Sequence, residues 1–257
     1  MKKEEKQLIY NLLKVTDSYV NGYQRDCFSS TPNIVDDEEK NDNTVKATSE
    51  ISSTTHITPP STTELKNNGS GITLEELNNK IYRCTRCGLA RTRNNVVPGE
   101  GVSNPDVLVI GEGPGYDEDM QGKPFVGKAG ILLDKMLNSI QLDRHTNCFI
   151  GNIVKCRPPQ NRDPFPDEQD TCFPFLETQI HILKPKMILC LGKVAIQKML
   201  GQKISITTTH GQFFEYNGIP IMATYHPSAL LRNQDLKRPA WEDLKGFRRK
   251  LNEILSV

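Results

Sequence analysis

The chain has 257 residues and a formal charge of +1, with 36% hydrophobic and 25% charged residues, enough to bury one large core or two small ones. No run approaches the roughly eighteen apolar residues of a helical membrane span and no secretory signal is evident, so a soluble, cytoplasmic protein is expected. Seven cysteines in that setting point to metal ligation or free thiols ahead of disulfides. Residues 71–257 carry 24 Lys and Arg against 20 Asp and Glu, a mildly basic balance that permits a polyanionic partner.

In chain order, residues 1–21 place Leu8, Ile9, Leu12, Leu13 and Val15 at nearly helical spacing, which gives a short amphipathic helix able to dock on the body or on a protein partner. Residues 22–71 are rich in Ser, Thr, Asn and Asp with almost no apolar clusters; such a composition cannot offset ordering entropy and reads as a disordered linker. The folded domain is expected over 72–257. It opens with a capping box from Thr73 and Glu76 and a helix ending about Arg83. CTRC follows (Cys84, Cys87), then the apolar run Asp106 to Ile110, read as a strand that ends in the loop GEGPGYDEDMQGKPFVGKAG (Gly111 to Gly130). Lys128 to Ile140 has helical periodicity, and Cys148 to Val154 reads as a second buried strand. A proline-crowded loop leads to a helix from about Asp167, with a break or kink expected at Pro174. A third strand spans Lys186 to Gly192 and a short helix follows it. An Asn217-Gly218 turn precedes a strand over Ile219 to Tyr225, which delivers His226 at its end. Trp241 to Leu255 closes the chain as an amphipathic helix. Strands alternating with helices predict an α/β sandwich around a mostly parallel sheet of about four strands.

The loop after the first strand opens where parallel sheets place their ligands, beyond the strand's carboxyl end. A dinucleotide site there would need bare backbone where Pro114, Tyr116 and Asp117 to Asp119 stand, so the Gly111-x-Gly113 pattern is weak support for such a cofactor. The cysteines are more informative. Cys84 and Cys87 form a CxxC pair; 68 residues separate it from Cys156, and 15 more lie between Cys156 and Cys172. Four thiolates in two pairs can bind zinc or an iron-sulfur cluster, whereas packed thiols at Cys156 and Cys172 are the plain alternative. Cys148 and Cys190, inside apolar strands, read as core.

Taken together, GEGPGYDEDMQGKPFVGKAG, NIVKCRPPQNRDPFPDE, YHPSALLRN and the CxxC and C-x15-C cysteines resemble the family 4 uracil-DNA glycosylases, the iron-sulfur members of that superfamily, over about residues 74–255. The resemblance implies a three-layer α/β/α sandwich and a monomeric enzyme that starts base excision repair by hydrolysing the bond between uracil and deoxyribose. The DNA can be single- or double-stranded. Such an enzyme must flip the base out, grip its edge, stabilise the leaving uracil anion and position a water. By resemblance, Asn152 bonds the uracil edge, Phe125 stacks on the ring and His226 donates to the 2-carbonyl as neutral imidazole. The backbone N–H of Gly113 holds another edge atom, and Glu112 positions water or stabilises the cationic sugar. Glu118 or Tyr116 bars the thymine methyl. Leu230, Leu231 and Arg232 resemble the loop that probes the minor groove, and the basic residues near these loops, Lys123, Lys128, Lys155, Arg157, Arg162, Arg232, Lys237 and Arg238, supply phosphate contacts if they share a face. Cys84, Cys87, Cys156 and Cys172 would hold a structural 4Fe-4S cluster. One alternative is a binding protein that traps uracil-DNA covalently through a histidine in an inserted basic loop, against which LLRNQDLKRPAW carries Lys and Arg but no histidine; the other is an inactive iron-sulfur recruitment module, against which intact Glu112, Asn152 and His226 weigh.

Overall fold

The computed structural model describes residues 71–256, so the amphipathic helix expected over 1–21 and all but the last residue of the linker expected over 22–71 lie outside the described residues. The described body is a six-stranded sheet in the order β1-β3-β2-β4-β6-β5. Its centre is β3 (Cys148–Asn152), β2 (Val107–Gly111), β4 (Met187–Leu191) and β6 (Ile219–Thr224), all mutually parallel. Every residue of β2, β3 and β4 is buried, the signature of strands covered on both faces. Alternate β2 residues go to opposite sides: Val107 and Val109 join a core with Leu133, Leu137, Leu244 and Phe247, and Leu108 and Ile110 join one with Leu176, Ile180, Ala195 and Ile196. The period of two along the strand thereby builds the three expected layers.

The helices of the first face are α3 (Lys128–Asn138) and α8 (Lys237–Leu255); those of the second are α4 (Pro166–Leu183) and α5 (Lys193–Leu200). Helix α1 (Leu74–Tyr82) begins with the expected capping box, Thr73 and Glu76 each bonding the other's backbone N–H. A short α2 (Tyr116–Gln121) is folded into the glycine-rich loop, and α6 (Ile206–Thr209) and α7 (Pro227–Arg232) flank β6 in sequence.

Three expectations change. The four-stranded parallel sheet gains antiparallel edges: the two-residue β1 (Glu100–Gly101) on β3, and β5 (Phe213–Tyr216) on β6. The second comes from the Asn217-Gly218 turn, where φ values of 49° and 81° match a type I′ hairpin. Pro174 does not break its helix, which runs continuously from Pro166 to Leu183; packing of Cys172, Leu176 and Ile180 into the core outweighs the one backbone hydrogen bond that proline forfeits. The last helix starts at Lys237, one turn before Trp241.

The chain leaves β2 for β3 on one side and then crosses to β4 on the other, so the order reverses between β2 and β4. Strand ends coincide there: Gly111 pairs with Asn152, and Leu191 with Thr224. An α/β sheet binds ligands at such a reversal, outside the carboxyl ends of its strands.

Candidate active site

A cleft of about 460 Å³ opens at that edge. Glu112, Gly113 and Phe125 reach it from the loop after β2, Asn152 from the end of β3, Leu191 and Gly192 from β4, and Tyr225 and His226 from β6. Residues that lie far apart in sequence therefore converge because four parallel strands end together.

Asn152 is 2% exposed, and its side-chain Oδ1 is buried without a hydrogen-bond partner. Buried amides are nearly always satisfied, so an unpaired oxygen facing a cleft marks a place for a donor from outside the protein. Gly111 makes the arrangement possible: a Cβ there would sit 2.6 Å from Phe125 Cζ and still closer to Asn152 Oδ1. At Gly113 a Cβ would lie 2.7 Å from Val154 Cγ2, so only glycine lets this backbone pass over the strand end.

Phe125 adopts the left-handed conformation at φ 53°, uncommon for a bulky residue and sustained only where surroundings impose it. Two sets of bonds do so. The Glu118 carboxylate accepts from the N–H groups of Gly115, Val126 and Gly127 at 3.0, 3.0 and 3.2 Å. The buried Arg144 guanidinium donates to the carbonyls of Pro124 and Phe125 at 2.9 and 3.0 Å, and to Asp134 at 2.7 Å. The Phe125 ring then rests 5.6 Å from that of His226.

His226 caps α7: its Nδ1 accepts from the Ser228 N–H at 3.1 Å and lies 2.8 Å from Ser228 Oγ. Acceptance at Nδ1 assigns the proton of the neutral ring to Nε2. Burial, and secondarily the Arg232 charge, lower its pKa to about 4, which keeps the ring neutral at physiological pH. Glu112 is perturbed in the other direction. Burial first, then the neighbouring Asp163 carboxylate, raise its pKa to about 7.

The other expected residues separate. Tyr116 is exposed, with the Arg157 guanidinium 5.1 Å from its ring, whereas Glu118 lines the cleft with its carboxylate committed to backbone. Leu230, expected as part of a DNA-probing loop, is 2% exposed in the core beside Leu244 and is unavailable to DNA. Leu230 lies about one turn after His226, where the phase of α7 turns it inward. Leu231 is 42% exposed, and Arg232 lies at the cleft rim. Sequence reasoning missed Arg144, Asp163 and the β4 contribution. Lys155, expected among the basic residues that contact phosphate, is instead 1% exposed, and its ammonium donates to the Asn152 carbonyl at 2.9 Å. Lys155 and Asp163 lie inside the stretch NIVKCRPPQNRDPFPDE, but what each touches is set by tertiary contacts, as it is for Arg144.

Cys84, Cys87, Cys156 and Cys172 line one void of about 10 Å³, with Arg93 and Lys155 among its other walls. Arg93 donates to Cys156 Sγ at 3.0 Å and the Lys155 N–H to Cys172 Sγ at 3.3 Å. The two cysteine pairs, distant in sequence, thus meet between α1, the start of α4 and the end of the β3 loop. Among the described residues, no group of three or more His, Cys, Asp or Glu side chains is closed to the geometry of a bound metal ion. Cys148 and Cys190 are buried in strands, as their apolar surroundings imply.

Comparison with known proteins agrees with this geometry. Residues 98–245 match the family model for the Uracil DNA glycosylase superfamily, a span that includes all the strand ends around the cleft. A type-4 uracil-DNA glycosylase of Thermotoga maritima is 42% identical over 176 residues, covering 67% of this chain and 91% of that protein. One of Saccharolobus solfataricus is 40% identical over 191 residues, 71% of this chain and 87% of the relative. A type-5 uracil-DNA glycosylase of Pyrobaculum aerophilum is more distant, at 29% over 186 residues. The parallel sheet, the cleft at its strand ends and this continuous similarity place the chain in the uracil-DNA glycosylase superfamily, as a member of its type-4 family.

Proposed function

We propose that the protein excises uracil from DNA by hydrolysing the N-glycosidic bond, as a monofunctional glycosylase of base excision repair. The observation that carries this reading is the buried, unpartnered Oδ1 of Asn152, set in one cleft with Phe125 and His226. Uracil offers an N3–H donor beside an O4 acceptor, and an asparagine amide offers the complement of both. Cytosine reverses the pattern and would leave buried polar groups unpaired, a penalty that gives strong discrimination.

A uracil flipped from the stack enters beside Phe125, whose ring supplies the stacking face. The Gly113 N–H and the His226 Nε2–H serve as donors to the base. As the glycosidic bond breaks, charge accumulates on the uracil oxygens, and a neutral imidazole fixed by Ser228 stabilises it without needing to reorganise. Glu112 in its ionised form orients the attacking water or balances the cationic sugar. Glu118 acts by holding the 125–127 backbone in place, which narrows the pocket against the thymine methyl. Leu231 and Arg232 at the rim serve as wedge and phosphate contact.

The four-thiol set fits a 4Fe-4S cluster. Such clusters take one cysteine per iron and are stabilised by hydrogen bonds to sulfur, and here Arg93 and the Lys155 N–H already point at two of the sulfurs. The cluster's part is structural, tying the Cys156–Cys172 loop to the body. A monomer acting in the cytoplasm, with the N-terminal segment free for a protein partner, completes the proposal; no helix among the described residues is long and apolar enough to cross a membrane.

The test is base release. Oligonucleotides carrying one uracil, one thymine or one cytosine at the same position are incubated with the protein, and free bases are separated by chromatography. Uracil alone should appear; release of cytosine at a comparable rate would overturn the role given to Asn152, and release of thymine the exclusion of its methyl by the backbone that Glu118 holds.

A further inference from the structure

Lys155 touches both the cysteine centre and the uracil-reading asparagine. Its main chain belongs to the first: its N–H donates to Cys172 Sγ at 3.3 Å, and the residue lines the four-cysteine void. Its side chain belongs to the second. The ammonium, 1% exposed, donates to the Asn152 carbonyl at 2.9 Å and to Gln179 Oε1 at 2.7 Å. Gln179 is itself fully buried and donates to the Pro98 carbonyl at 2.8 Å. The Lys155 carbonyl closes the assembly by accepting from the Val97 N–H at 2.8 Å.

We propose that Lys155 is a positioning residue that couples the cysteine centre to the uracil pocket by fixing the backbone of Asn152. The inference rests on the uracil-excision reading above. Asn152 is the last residue of β3, and beyond it the Ile153 and Val154 N–H groups donate to the Gly111 and Glu112 carbonyls at 3.0 and 3.2 Å. The Lys155 ammonium adds a bond to the Asn152 carbonyl itself and ties it, through Gln179, to the Pro98 carbonyl. A buried ammonium is an unusual choice for mere packing, because an apolar chain of the same length would avoid its desolvation. Its value here is directional: charge-assisted bonds to two oxygens on different elements set the strand end to within a fraction of an ångström, the tolerance a base-reading amide requires. Changes in the loop that carries Cys156 and Cys172 would then reach Asn152 through one residue.

The experiment is a double-mutant cycle on the holoprotein. Lys155→Met and Asn152→Ala are made singly and together. Uracil excision from an oligonucleotide, affinity for free uracil by calorimetry, iron per chain and melting temperature are measured for each. We expect Lys155→Met to lower kcat/KM and uracil affinity roughly 10-fold or more, the usual loss when the support of a site residue is removed, with iron content unchanged. In the Asn152→Ala background the same change should cost less than about twofold, because its effect passes through that side chain. Lys155→Arg should recover part of the loss, and Gln179→Leu, which removes the other anchor from a different helix, should reproduce it in reduced form. Equal losses in both backgrounds, a loss that tracks missing iron, or full uracil affinity in Lys155→Met would each overturn the proposal. Should Lys155→Met fail to fold, the cycle is run with Gln179→Leu, and additivity there overturns it. If Asn152→Ala alone leaves uracil excision intact, the uracil-pocket assignment fails first, which separates the two claims.

Discussion

Asn152 and His226 differ in buried polarity: the Asn152 Oδ1 is unpaired, whereas the His226 Nδ1 is occupied by Ser228. In the proposed reaction the first waits for a donor on the base and the second offers its remaining proton. Asn152→Ala removes the paired donor and acceptor together and should lower kcat/KM for uracil-DNA by about 10²–10³-fold, measured by single-turnover excision. Glu112 supplies a pH signature. Its pKa is raised from 4.5 to about 7, so below pH 7 the folded protein holds it mainly protonated. If the carboxylate is the working form, kcat/KM rises about tenfold per unit up to pH 7 and then levels; Glu112→Gln should remove this limb from the pH–rate profile. The linkage has the matching sign: the group ionises more readily in the unfolded chain, so stability falls as pH climbs from 4.5 through 7, and Glu112→Gln should melt higher than the parent at pH 8 but not at pH 4. Asn152 and His226 were legible in the sequence only as parts of ordered motifs, since a lone asparagine or histidine is more often structural. Arg144 was not legible at all, Lys155 was read as a phosphate contact, and Asp163 only as part of a proline-crowded loop. Their partners are carbonyls and side chains delivered by the fold, and no spacing in the sequence encodes a contact with a distant carbonyl.

Among the elements, the parallel strands were readable because burial on both faces leaves continuous apolar runs, and α1 because a capping box is a local device. The two-residue β1 has too few residues to show any period. The short α2 was hidden by Gly113, Pro114 and Gly115, which signal a loop, although Gly115 is here the cap of a helix. Helix α7 divides two adjacent leucines between different jobs, and substitution separates them. Leu230→Ala should destabilise the fold by about 2–5 kcal/mol, as for other buried leucines. Leu231→Ala should change stability by less than about 0.5 kcal/mol yet weaken binding to uracil-containing duplex; chemical denaturation and fluorescence anisotropy read the two effects. The αL turn at Phe125 depends on Arg144 in the same way. Arg144→Met leaves the Pro124 and Phe125 carbonyls unpaired and Asp134 without its partner, and should cost roughly 2–4 kcal/mol in thermal unfolding.

For the molecule as a whole, two constructions meet at β3. One end of the strand enters the cleft through Asn152, and the loop beyond it carries Cys156 into the four-cysteine void. The proposed cluster would join cysteine pairs 68 residues apart, closing a long loop whose constraint would add to stability. Iron and acid-labile sulfide analysis of the purified protein should find about four of each per chain, and zinc without iron would contradict the cluster. The claim on which the rest depends is that the cleft reads uracil through Asn152 and His226. Its most direct measurement is the yield of alkali-labile abasic sites from a uracil-containing oligonucleotide, for the parent protein and for the Asn152→Ala/His226→Ala double variant at equal iron content. Abasic sites from the parent and essentially none from the double variant are predicted. Undiminished cleavage by the double variant, or none by the parent, would contradict it.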